Sequence, residues 1–123
     1  MTDNPKQQKF LPIARTARED EKLADQFHGA LETLNEKVPD DPVVAASLPK
    51  CVTFRRLLRQ LLAALKPVET AAEKREPLAA DFNAGKAQAF ADEWQAARTA
   101  FHADYRKNKE YLEKLAFRLL RPR

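Results

Sequence analysis

Residues 86–121 read KAQAFADEWQAARTAFHADYRKNKEYLEKLAFRLLR, a run of 36 residues without glycine or proline. Phe90, Trp94, Ala97, Phe101, Tyr105, Asn108, Leu112, Leu115 and Leu119 recur along it in steps of four and three, which is one face of an α-helix. A single pair of consecutive four-residue steps relaxes the strict heptad, so the stripe predicts a long, nearly straight helix of about 50 Å. Asn108 is the polar member of that stripe. A polar residue there either fixes helix register and oligomeric state or marks an exposed bundle end, and both readings are open.

Upstream, two further apolar-periodic stretches match it. Leu23, Phe27, Leu31, Leu34 and Val38 give a first helix from about Ile13 to Val38. Phe54, Leu57, Leu58, Leu61 and Leu65 give a second from Lys50 to Lys66. Turn chemistry separates the stretches. Asp41 can cap a helix with Pro42 in its first turn, so Pro42 to Leu48 is expected to be a short helix that Pro49 ends. Pro67 is expected to kink or stop the second long helix, and Pro77 to restart a short one through Phe82. Asn83-Ala84-Gly85 reads as a C-terminal stop. The fold class that follows is all-α: an antiparallel bundle of three long helices with one or two short connecting helices. Residues 1–11 are expected to form a polar, disordered arm, and residues 12–123 a single helical domain.

Composition narrows the function classes. The 123 residues hold 22 Lys and Arg against 18 Asp and Glu, with two glycines and one cysteine. A lone Cys51 excludes an intramolecular disulfide and points to a reducing, cytoplasmic setting. The longest uncharged apolar run, Leu61 to Leu65, is far too short to cross a bilayer, so no membrane insertion is expected. Two glycines cannot build a phosphate-cradling loop, and neither His28 nor His102 has a ligand partner at metal-binding spacing. The chain is therefore expected to be no enzyme and to need no cofactor.

The charge that remains is segregated. Lys50, Arg55, Arg56, Arg59 and Lys66 occupy Lys50 to Val68 with no acid among them, and Arg98 to Arg123 holds eight basic residues against Asp104, Glu110 and Glu113. Arg55, Arg59 and Lys66 fall within about 40° of one another on a helix. Lys107, Lys114, Arg118 and Arg121 form a second stripe, while Arg98, His102 and Lys109 lie on the opposite flank. Antiparallel packing would bring the two basic runs to one end of the molecule. Rows of cations at such spacing suit a phosphate backbone, because each neutralised phosphate releases condensed counterions. The preferred reading is a binding module that contacts nucleic-acid backbone through Arg55, Arg59, Lys66, Lys107, Lys114, Arg118 and Arg121 without reading bases. The chain is similar in size, helicity and basicity to small all-α subunits of ribonucleoproteins, a likeness of fold class and charge that no motif carries further.

Other uses of the same residues remain open. Glu32, Glu36, Asp40 and Asp41 could pair with Arg55 or Arg59 and neutralise the face. Basic residues near a helix C-terminus also complement the macrodipole. Tyr111 and Phe117 fall off the apolar stripe among basic residues, where they could stack on single-stranded bases or pack on a protein. The rival reading is thus a protein–protein adaptor, chaperone or assembly factor, with a partner protein or self-association through the last helix. A basic amphipathic helix lying on an anionic membrane is a third.

Overall fold

The computed structural model describes residues 4–120 and is all-helical, with α1 at Pro5–Lys37, α2 at Pro42–Lys74 and α3 at Ala84–Leu119. Each helix starts on an Asx cap. Asn4 accepts from the amides of Lys6 and Gln7, Asp41 from Val43 and Val44, and Asn83 from Lys86. Pro5 and Pro42 then occupy first-turn positions, where a missing N–H costs nothing.

Helix α1 corrects the expectation of a disordered arm over residues 5–11. Phe10 is only 2% exposed and meets Phe82 edge to face at 5.4 Å. The buried face continues through Ala14, Ala17, Asp20, Ala24, Phe27, Leu31 and Leu34, and its upper half is carried by alanines, which periodicity of large residues does not reveal. Residues 1–3 lie outside the described residues.

Helix α2 corrects the expectation of short connecting helices. Pro49 and Pro67 both sit inside one continuous helix. The buried positions Val44, Ser47, Cys51, Phe54, Leu58, Leu61, Leu65 and Val68 alternate by three and four straight through both prolines. Each proline frees the carbonyl four residues earlier, on Ala45 and Ala63, and both alanines are solvent-exposed, so water can satisfy the freed groups. Burial on the opposite face then outweighs the breaker. The Pro77–Phe82 segment is a loop instead of a helix, entered through Arg75 in the left-handed region at φ 57°. Asn83, expected to stop a helix, begins one.

Contact pairs give the topology. Gln7 donates to the Val68 carbonyl at 2.9 Å and the Cys51 thiol to the Ala24 carbonyl at 3.5 Å, so α1 and α2 are antiparallel. Phe54 stacks on Phe101 and Lys50 pairs with Asp104, so α2 and α3 are antiparallel too. Phe10 meets Phe82 while Phe27 meets Tyr105, so α1 and α3 run the same way. Phe27, Phe54 and Phe101 join the three helices at mid-height. Among the described residues no helix is long and apolar enough to cross a membrane.

Candidate nucleic-acid interface

Helix register decides which cations share a surface. Taking Lys50 opposite Asp104 as the reference, Arg59 lies nine residues along α2 in one direction and Lys114 ten residues along α3 in the other. The two are therefore about 28 Å apart along the bundle axis. The basic runs diverge from mid-height, which corrects the expectation that antiparallel packing gathers them at one end. Lys50 to Lys66 is the middle of α2, not its start, because the helix extends back to Pro42.

The α2 residues are bound up with acids of α1. Arg55 Nε donates to Asp25 Oδ1 at 2.9 Å, and Arg59 borders a small depression that it shares with Glu21, Asp25 and Arg55. Nearby, Arg18 forks onto both oxygens of Glu69 at 2.8 Å and reaches Glu21 at 3.0 Å, contacts that push its pKa up despite partial burial. The partner of Arg55 is thus Asp25, about two helical turns before Glu32, the first of the acids expected for it. Lys66 is exposed farther along α2. Cations and carboxylates alternate along this α1–α2 seam and neutralise one another.

The α3 residues are arranged differently. Lys107, Lys114 and Arg118 are exposed and fall on one helical face, about 10 Å and 6 Å apart along the axis. Arg121 lies outside the described residues. Lys114 meets Glu110 at 3.0 Å, but both side chains are more than 70% exposed, and such pairs contribute well under about 1 kcal/mol. A phosphate can displace that partner. Phe117, 67% exposed, sits on the same face, three residues beyond Lys114.

Tyr111 has a different role. Its hydroxyl donates to Asp41, so it straps α3 to the turn between α1 and α2. The Tyr111 hydroxyl and the cap amides of Val44 and Val43 hold the Asp41 carboxyl below its ordinary value, and the same contact raises Tyr111. Because the folded value is depressed, Asp41 contributes stability above the ordinary carboxylate range and loses it as pH falls through the depressed value. Asp41→Ala is expected to cost about 1 kcal/mol in urea unfolding at neutral pH, with Asp41→Asn between parent and alanine because an amide oxygen still caps while the carboxylate charge is lost. An alanine variant as stable as the parent would remove the cap from the account.

Two polar side chains have partners that the sequence did not name. Asn108 donates to Asp104 Oδ1 at 3.0 Å one turn earlier, and Asp104 also receives Lys50 at 3.6 Å, so the polar member of the stripe is satisfied within the bundle. Asp20 on α1, 2% exposed, is the larger surprise. Its Oδ2 accepts from Trp94 Nε1 at 3.1 Å and Arg98 Nε at 2.7 Å, and its Oδ1 faces His102 Nε2 at 3.0 Å. The readable signal was Trp94, Arg98 and His102 at four-residue steps on α3, facing an acid at a core position of α1.

Comparison with protein-family models, curated proteins and solved structures finds no match to this chain.

Proposed function

We propose that this chain is a non-enzymatic module that grips the phosphate backbone of nucleic acid along the outward face of α3, using Lys107, Lys114 and Arg118, with Phe117 as a stacking surface. The observation that carries the reading is the joint exposure of these three cations and one large aromatic ring on a single helical face. Arg55, Arg59 and Lys66 are left out of the surface because Arg55 is committed to Asp25 and the other two lie far along α2. Three backbone contacts bind weakly alone. The proposal therefore places the module as a small subunit of a ribonucleoprotein assembly, where repeated engagement multiplies the affinity. Cys51 suits a reducing cytoplasm: it is buried, and burial pushes its thiol up to about 11, leaving it inert.

Fluorescence anisotropy with labelled single- and double-stranded RNA and DNA tests the reading. The variant carrying Lys107→Glu, Lys114→Glu and Arg118→Glu is expected to bind at least about tenfold more weakly, with a log–log salt slope flattened by about 2 on single strands. Phe117→Ala is expected to lose affinity for single strands only. The pair Arg59→Glu and Lys66→Glu is expected to change little. Unaltered affinity in a folded triple variant would sink the assignment.

A second reading, a protein–protein adaptor, has its own observation. Tyr111, Phe117, Leu119 and Leu120 are exposed together at the end of α3. It differs in one outcome: Phe117→Ala then abolishes self-association or a protein complex, while the charge reversals do not.

A further inference from the structure

Beside the buried Asp20, the surface of α3 forms a polar depression of about 270 Å³ lined by Gln95, Arg98, Thr99, His102 and Arg106. We infer that this depression is a seat for one phosphate group, separate from the outward α3 face and resting on none of its residues.

The reasoning begins with what Asp20 does to its partners. A carboxylate removed from water is costly, and an apolar residue at that core position would close the helix contact without the cost. What the carboxylate adds is orientation. It takes Arg98 through Nε at 2.7 Å and Nη2 at 3.4 Å, and the guanidinium also lies 5.5 Å from the Trp94 ring. That plane is held from two sides before any ligand arrives. Its Nη1 amino group engages neither oxygen of Asp20, so donors remain on a guanidinium whose rotamer freedom is already lost. Asp20 likewise fixes the His102 ring through Nε2, leaving Nδ1 as the second polar atom of that ring. Arg106 stands one turn beyond His102, exposed.

The chemistry favours phosphate over smaller or flatter anions. Two guanidinium groups outnumber the single buried carboxylate, so the depression attracts negative charge. Its other linings, Thr99 and Gln95, carry a hydroxyl and an amide that can each supply a hydrogen-bond donor. A tetrahedral anion with several oxygens can use donors spread around it, whereas a carboxylate presents two oxygens in one plane.

NMR of the intact chain tests the seat with inorganic phosphate, against sodium chloride of equal ionic strength. Phosphate is expected to produce saturable shifts in the Arg98 Nε–H, the His102 ring and the Thr99 amide, with no equivalent from chloride. Arg106→Gln, on the exposed rim and outside the Asp20 cluster, is expected to weaken the response about tenfold. The Lys107→Glu, Lys114→Glu, Arg118→Glu variant is expected to keep it, so the seat and the proposed function fail separately. Non-saturating shifts, shifts equal to those from chloride, or an undiminished response in Arg106→Gln would each overturn the inference. Two further titrations identify the source of the phosphate. If uridine 5′-monophosphate moves these resonances and a short oligouridylate without a terminal phosphate does not, the ligand is a free phosphomonoester. If the oligouridylate moves them, the seat takes a backbone phosphate.

Discussion

Asp20→Ala is expected to lower unfolding stability by about 3–5 kcal/mol, the cost of breaking a buried charged network from one side. The carboxylate is 2% exposed and holds Trp94, Arg98 and His102, all on α3, against α1. Truncation strands the indole N–H, which is buried, and takes the charge partner from Arg98. Arg98 keeps a 34% exposed side chain, so its guanidinium recovers some hydration and the effect should fall toward the lower part of that range. Asp20→Asn retains one acceptor oxygen but turns an amide N–H₂ toward donors, and it should lie between parent and alanine. Urea unfolding with an unchanged m-value is the measurement. A loss below about 1 kcal/mol in the alanine variant would show that the α1–α3 contact does not depend on this carboxylate.

That residue also marks the limit of what the sequence discloses. Helix α3 was legible because nothing interrupts it and its stripe is made of large side chains; Trp94, Phe101, Leu112 and Leu115 are indeed buried. The start of α1 was hidden because Ala14, Ala17 and Ala24 carry much of its early buried face, and an alanine looks the same on paper whether packed or exposed. Pro49 and Pro67 read as breaks because proline removes a hydrogen bond locally, while the compensation lies in burial against α1 and α3. Only pairing supplies that term. The charged stripes were legible as stripes, but their mutual distance depends on where α2 begins. Once Pro42 to Lys74 is one helix, Arg59 and Lys114 part company. Asp25 as the partner of Arg55, and Asp20 beneath Trp94, Arg98 and His102, are consequences of helix register, which periodicity within each helix leaves free.

Phe101→Ala should be comparably severe, about 3–5 kcal/mol, corresponding to a fall in Tm of ~12–20 °C for a domain of this size. The ring is 6% exposed at the level where all three helices meet. It stacks on Phe54 of α2 with centroids 4.2 Å apart and planes 10° from parallel, and it meets Phe27 of α1 edge to face at 6.1 Å. Losing it removes the apolar transfer energy, two aromatic pairs of about 0.5–1.5 kcal/mol each, and a side chain of α3 in ring contact with both other helices. The surroundings cannot close over the gap. An open groove lined by Phe54, Leu57, Ala97, Ala100 and Asp104 already borders the ring, so truncation connects the core to water. Phe101→Leu, which refills most of the volume without the ring contacts, is expected to recover more than half the loss. The two variants separate packing from stacking: equal destabilisation would assign the effect to the aromatic pairs, and a leucine variant near the parent would assign it to volume. An alanine variant losing less than about 1.5 kcal/mol would mean that the junction of Phe27, Phe54 and Phe101 is not where the three helices are held together.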